Sequence, residues 1–325
     1  MNTNINFNTK SKILEPYKNQ FEINAPLTSN VTQYGSHMIM NNIFKNSKEK
    51  YINIDTQFAD EYGYDKNTYN NTSSFNFTFP EKICNVKSLK VENIEIPVSF
   101  YNISAALGNN YFKIVKSNGT FSMCVLSDGN YNISDLRNKI VYTDGNSQIL
   151  LNVNDNNYST LNYNTTSNDN NTYTIHFDTD ASGNFDKHNF RTKLGWLLGF
   201  RTQSIIVNRN ITPISDSIIN LNTVRYLYLV LDEFSNGFTN SFVSLKGTHI
   251  MNKKILARIG VENTIYPFGN VIISSKSNGF LLSDLRCYNG LIDIQKINVQ
   301  LVNEYGININ LNGLDFSFLL KVTYE

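Results

Sequence analysis

The sequence predicts a mainly β protein, an antiparallel β-sandwich of jelly-roll type with a few short helices and a polar N-terminal arm. Short runs of alternating apolar and polar residues recur along most of the chain, as in half-buried strands. The 325 residues include 52 Asn, 21 Phe and 19 Tyr, a composition that favours turns between aromatic-rich strands. Strands of this number and spacing are typical of sandwiches and jelly rolls.

Three segments are expected along the chain. Residues 1–50 are polar and aperiodic, which predicts an extended arm that becomes ordered only against a neighbouring molecule. Residues 51–325 are expected to form the β-sandwich body. A helix-like pattern among short strands predicts an α+β insertion in that body, around residues 127–205.

The first strands of the body carry an irregularity. Phenylalanines alternate with polar residues over positions 75–79 in "SFNFTFP", so one face of this strand is expected to be buried. The apolar parity then changes between Val91 and Ile94, which indicates a β-bulge. Pro97 predicts a strand end or an edge position.

The later strands follow from the same alternation. The nearly continuous apolar run at residues 224–231 predicts a central strand covered on both faces. Apolar alternation at 297–301, 307–311 and 316–324 predicts an antiparallel meander with turns at "NEYG" and "NGLD". Residues 152–172 are so rich in Asn that they predict an exposed loop. Further short strands are expected at "YFKIVK", "TFSMCVL", "QILLNV" and "YTIHFD".

Two short helices are expected, near residues 132–140 and 189–198. Asn132 or Ser134 can cap the first helix, because short polar side chains accept from the free backbone N–H groups of a first turn. Gly199 can end the second helix by adopting a left-handed conformation.

The second helix includes the only tryptophan of the chain, Trp196, within "KLGWLLGFR". We interpret this stretch as a structural corner, with Phe200 holding the turn against the core. Two alternatives stay open, namely contact of Trp196 with another subunit and stacking of its ring on a sugar or a base.

Charge and cysteine content disfavour several function classes. The net charge is +1 and the basic residues are not clustered, so no direct nucleic-acid binding is expected. No apolar run has the length of a membrane span, and the N-terminus lacks the apolar core of a secretory signal. Cys84, Cys124 and Cys287 are widely spaced, which predicts buried free thiols in a reducing compartment and no zinc site.

One loop has the spacing of a calcium site. In "DTDASGNFDKHN" the residues Asp178, Asp180, Ser182, Asn184 and Asp186 fall at alternate positions, as in an EF-hand loop. The twelfth position lacks the bidentate Glu, and a strand precedes the loop where an EF-hand has a helix. We therefore favour a polar connection that caps the second predicted helix, and we expect no metal ion and no cofactor.

No catalytic constellation is recognisable in the sequence. The histidines have no metal-binding spacing, and neither a nucleophilic-serine motif nor a glycine-rich nucleotide loop is present. The adjacent carboxylates of Asp232 and Glu233 could belong to a glycosidase, but at sequence level they resemble ordinary surface acids. We expect a protein without enzymatic activity, with a polysaccharide-cleaving enzyme as an alternative.

Many short motifs follow one another in a recognisable order from about residue 51 to the C-terminus. They are "YINIDTQF", "SFNFTFPEKICNVKSLKVENIEIPVSFYNIS", "DGNYNISDL", "LGWLLGFR", "RYLYLVLDEF", "ILARI", "LRCYNGLIDIQKINVQLVNEYG" and "LNGLDFSF". Taken together, these motifs resemble a family of virion structural proteins from nucleocytoplasmic large DNA viruses, the giant viruses.

The resemblance implies a structural capsid protein of a large icosahedral DNA virus, either a penton at the vertices or a minor capsid protein that cements the shell. It implies other capsid proteins as partners, namely the major capsid protein and copies of this chain, with a homo-oligomer such as a pentamer. The implied location is the virion, assembled in the host cytoplasm. The alternative is a receptor- or glycan-binding head on the virion surface, which should expose an aromatic cluster with amides and acids.

Overall fold

The computed structural model describes residues 46–60, 73–166, 171–186, 189–235, 237, 242–246, 249–251 and 254–325. Regular structure in these residues is mostly antiparallel strand, with two short α-helices. The predicted mainly β, antiparallel class is therefore confirmed. Residues 1–45 of the predicted arm lie outside the described residues. The end of the arm, residues 48–50, belongs to the first strand.

The described strands are numbered in chain order. They are β1 (Lys48–Asp55), β2 (Ser74–Pro97), β3 (Tyr111–Lys116), β4 (Phe121–Val125), β5 (Val141–Asp144), β6 (Ser147–Val153), β7 (Tyr158–Thr165), β8 (Tyr173–His176), β9 (Ser204–Val207), β10 (Ile214–Ile218), β11 (Tyr226–Asp232), β12 (Ser244–Lys246), β13 (His249–Met251), β14 (Ile255–Gly260), β15 (Val271–Ser275), β16 (Leu281–Ser283), β17 (Arg286–Asn303) and β18 (Ser317–Tyr324). The α-helices are α1 (Ile133–Lys139) and α2 (Leu194–Leu197), and short 3-10 helices lie at Thr56–Phe58 and Phe190–Thr192.

The largest sheet has the strand order β1-β18-β2-β17-β11-β14-β16, and β15 also pairs with β2. Strand β2 is 24 residues long and changes partners along its length, from β17 to β18 and then β15. One hydrophobic cluster draws residues from β1, β2, β11, β14, β15, β17 and β18, so these strands enclose a single core. Fully buried members include Leu89, Ile94, Leu229, Val299 and Val322.

The predicted irregularity of β2 is confirmed. Leu319 of β18 lies opposite Asn93, whereas the next residue, Leu320, lies opposite Val91. Glu92 is thus the extra residue of a β-bulge, which moves the buried parity from odd to even positions. Pro97 is the last residue of β2, as predicted.

The central strand is also confirmed, but the C-terminal meander is wrong. Strand β11 lies between β14 and β17 and is buried along its interior. Strand β18 pairs with β1 and β2 instead of following β17 in a meander, and residues 307–311 form no regular strand. The Asn303 side chain accepts the backbone N–H groups of Tyr305 and Ile307. These bonds fold the chain back locally, while Ile309 and Leu311 still reach the core.

A second core lies between two four-stranded sheets, with strand orders β10-β7-β6-β5 and β4-β3-β8-β9. Helix α1 covers it through Leu136 and Ile140, which are both buried. Asn132 caps this helix in a reciprocal capping box with Asp135, so the predicted first helix is confirmed. The residues of this second core lie between Ile103 and Ile219 in the chain. The division of the chain into arm, body and insertion stays a prediction.

Two other predictions are wrong, namely the exposed loop at residues 152–172 and the burial of the three thiols. The Asn-rich segment 152–172 contains strand β7, which buries Leu161 and pairs with β6 along its whole length. Cys84 and Cys287 are exposed, and Cys124 is partly buried. Cys287 lies between the buried Arg286 and Tyr288, and Cys84 follows the buried Ile83, so alternation along these strands turns both sulfur atoms outward.

Candidate functional site

The tryptophan stretch forms a tight corner on the second core. Leu194 and Leu198 are fully buried, and Phe200 stacks on Phe177 with ring centroids 5.1 Å apart. A Cβ atom at Gly195 would overlap the Phe177 ring, so this helix position requires glycine. The corner interpretation is therefore confirmed, although the second helix is shorter than predicted, with only Leu194–Leu197 in α-helix.

Gly199 ends α2 with a positive φ of 97°. Its N–H donates to Trp196 O, and the N–H of Phe200 donates to Gly195 O, which closes the last turn. The carbonyl of Gly199 accepts the N–H of Ser217 in β10. The corner thus joins the helix to the edge strand of a sheet.

The indole ring of Trp196 points away from this core and is half-buried. The Arg201 guanidinium lies 4.0 Å from the ring centroid, and that of Arg191 lies 5.7 Å away. The ring of Phe190 contacts the indole edge-on, with centroids 5.6 Å apart. Guanidinium groups at these distances make cation–π contacts with the indole ring, which help to fix the positions of the partners.

Trp196 opens onto a cleft of about 320 Å³ between the second core and the large sheet. We call it the Trp196 cleft. It is lined by Leu107, Asn109, Arg191, Thr192, Trp196, Leu197, Arg201, Asn220, Asn222, Thr223, Arg225, Asn303, Glu304, Tyr305 and Ile307. Its volume is at the lower end of the range of small-molecule pockets.

The charged residues of the cleft are three arginines and one glutamate. Arg225 donates to Glu304 through Nε at 3.3 Å and an Nη at 3.1 Å, and this contact raises the pKa of Arg225. Arg201 donates to Trp196 O at 2.8 Å, and burial lowers its pKa. Because a guanidinium stays protonated at any physiological pH, the lining carries two positive charges in excess.

The candidate calcium loop is arranged around its own backbone. The Asp180 carboxylate accepts the N–H groups of Ser182 and Asn184, each at 2.9 Å. The bonds from Asn184 and its neighbours hold the pKa of Asp180 below its usual range. Asp178 is buried, and its Oδ1 lies 3.8 Å from Nδ1 of His176. In the part of the chain that the structure describes, no three His, Cys, Asp or Glu side chains converge as metal ligands.

Asp186, the remaining carboxylate of the loop, contacts a lysine. Lys193 donates to it from Nζ at 2.9 Å and to the Tyr111 hydroxyl at 3.2 Å. Burial disfavours the charge of Lys193, but these hydrogen bonds outweigh burial and raise its pKa. The loop is thus linked to α2 by an ion pair, and the prediction that it caps the helix is wrong, because the N-cap of α2 has no side-chain cap.

The adjacent carboxylates after β11 have separate ionic partners. Glu233 accepts from Arg286 at 2.8 Å, and both side chains are almost fully buried. Asp232 accepts from Lys254 at 2.6 Å. Arg286 also donates to the carbonyl groups of Leu231 and Lys254, so this cluster joins β11, β14 and β17 through hydrogen bonds.

Most of the cleft could not be predicted from the sequence. Arg191 and Arg201 flank the tryptophan stretch, whereas Arg225 and Glu304 lie far from it in the chain, and each resembles an ordinary surface residue until the fold is known. Trp196 was singled out as a corner residue, with sugar stacking as an alternative. The fold and the cleft together define an antiparallel β protein with a cationic cleft beside Trp196.

Comparison with known proteins finds distant structural similarity and no sequence match. No family model matches the chain, and no curated protein matches it. A crystal structure of the mavirus penton protein is similar to this chain, with 10% sequence identity and a TM-score of 0.44. The match covers 86% of this chain and 99% of that one. In the described residues, no helix has both the length and the hydrophobicity to cross a bilayer.

Proposed function

We propose that this chain is a structural subunit of an icosahedral virus capsid, and that its copies form a ring at the vertices. The observation that carries the proposal is the apolar character of its sheet edges. Edge strand β4 exposes Phe121 and Val125, and edge strand β10 exposes Ile214 and Ile218. Unpaired edges with large apolar side chains associate with other chains unless something covers them.

One edge of the large sheet, strand β1, has a different character. Strand β1 begins with Lys48, Glu49 and Lys50, all exposed, and charged side chains are a common protection against edge-to-edge pairing. Strand β4 carries no charged side chain, and β10 carries a single one, Asp216, whose carboxylate accepts the backbone N–H of Arg201. We infer that these two edges are the surfaces that neighbouring copies cover.

Two further features support an assembling protein. The net charge of +1 means that many copies can meet with little mutual repulsion. The ordered motifs between residues 51 and 325 resemble a family of giant-virus virion proteins.

The experiment is a measurement of oligomer mass. Mass photometry of the purified chain should give a pentamer, and the double variant Ile214→Asp/Ile218→Asp should shift it to a monomer with unchanged circular dichroism. Leu314→Asp, which places a single Asp on an exposed turn, should leave the pentamer intact. A wild-type chain that stays monomeric at all concentrations would contradict the vertex ring. A monomer or dimer that binds the major capsid protein would favour the minor capsid role.

The receptor- or glycan-binding head is the second candidate function. It requires an exposed aromatic group with amides and acids, and the Trp196 cleft supplies Trp196, Tyr305, several asparagines and Glu304. A capsid subunit can also carry such a site.

A further inference from the structure

The Trp196 cleft combines an aromatic ring, an excess of positive charge and several amide groups. We propose that it binds an acidic sugar, one that carries a carboxylate or sulfate group. This inference does not depend on the oligomeric state of the chain, since every lining residue belongs to one subunit.

The charge of the cleft selects an anion. Arg225 is already held by Glu304, whereas Arg191 has no hydrogen-bonded or ionic partner among the described residues. Arg201 donates one Nη group to the carbonyls of Trp196 and Phe200, which leaves its other N–H groups for a ligand. Arg191 and Arg201 lie over the same indole ring, so one oxyanion can contact both, and guanidinium–oxyanion bonds are among the stronger hydrogen bonds in proteins.

The remaining lining suits the body of a sugar. Tyr305 and Ile307 are both more than two-fifths exposed, and with Leu107 they give the cleft an apolar wall. The amides of Asn220 and Asn222 line the cleft as well, where they can bond ring hydroxyls. Pockets of this type combine apolar contacts with a few placed polar groups that fix orientation.

Two other occupants fit less well. The N-terminal segment of a neighbouring copy has four lysines and two glutamates in residues 1–45, so its excess positive charge is repelled by the cleft. An acidic peptide has the right charge, but a volume of about 320 Å³ suits a single compact unit better than an extended chain.

The test uses the full chain and the fluorescence of Trp196, the only tryptophan, together with ligand-observed NMR. The probes are N-acetylneuraminic acid, glucuronic acid and a sulfated glucosamine, with glucose, inorganic sulfate and tetraglutamate as comparisons. We expect at least one acidic sugar to bind at millimolar concentration or better, with weaker binding at high salt, because the anion contact is screened. The carboxylate and sulfate probes separate the two acidic groups.

Matched variants assign the binding to the cleft. Arg191→Gln should weaken the binding of the acidic sugar by about ten-fold, the effect of losing one charge-assisted contact. Arg137→Gln removes the same charge from the exposed end of α1 and should leave the affinity unchanged. The proposal is overturned if no acidic sugar binds, if inorganic sulfate binds as tightly as every sugar, if tetraglutamate binds more tightly than every sugar, or if both variants lose affinity equally. A chain that forms pentamers and yet fails these tests would refute the sugar site alone.

Discussion

Replacement of Gly199 by alanine tests the corner that holds the tryptophan. Gly199 has a φ of 97°, a conformation that costs an L-residue about 1–2 kcal/mol. The new Cβ would also lie 3.0 Å from the carbonyl carbon of Ser217 and closer still to its oxygen. Because that oxygen belongs to the β10 backbone, the strand has to shift, and overpacking of this kind costs about 1–3 kcal/mol. We therefore expect a loss of about 2–5 kcal/mol in the free energy of unfolding.

Gly119→Ala is the matched control for this substitution. Gly119 has a φ of 82°, and a Cβ there would meet no atom within 4 Å. It shares the backbone penalty of about 1–2 kcal/mol without the collision. The difference between the two variants then isolates the contact with Ser217.

Urea denaturation of both variants provides the measurement. Trp196 fluorescence reports the corner itself, and far-UV circular dichroism reports the sheets. Coincidence of the two transitions would justify a two-state treatment. If Gly199→Ala lowers the free energy of unfolding no more than Gly119→Ala does, the contact with the Ser217 carbonyl has no energetic cost, and the prediction is refuted.

Three further predictions follow from the buried ion pair, the thiols and the loop. Glu233→Gln should destabilise the chain by about 3–5 kcal/mol, because it removes the carboxylate that neutralises the buried charge of Arg286; equal stability in urea would contradict this. Burial raises the pKa of Cys124 to about 11, so at pH 8 it should react with iodoacetamide much more slowly than the two exposed thiols, and equal labelling in peptide mass spectra would argue against it. Millimolar calcium should not raise the melting temperature, because an ion would have to displace Lys193 from Asp186; a rise of several degrees that is abolished by Asp186→Asn would overturn that expectation.

Local sequence signals predicted those parts of the fold that depend on local chemistry. The parity change near Val91 located the β-bulge, and the polar residue before Ile133 located the cap of α1. Both features are set by residues within a few positions of each other. The apolar run in β11 was equally informative, since burial on both faces leaves no polar positions.

The wrong predictions concern features that depend on distant partners. Strand β7 alternates buried Ser159 and Leu161 with polar residues, but the high Asn content hid this pattern. Residues 307–311 have a strand-like alternation because they face the core, even though they have no regular pairing partner. Alternation reports which side chains are buried and does not identify the neighbouring strand.

The position of the Trp196 cleft follows from the path of the chain between its two cores. Ile219 is buried in the second core and Val224 in the first, so the residues between them cross the gap. Asn220 and Asn222 lie in that crossing, and the turn after β17 brings Glu304 and Tyr305 to the opposite side. Charged and amide groups collect here because neither core can accommodate them unpaired. A polar cleft is thus the consequence of two apolar cores in one chain, and its arginines give it an excess of positive charge.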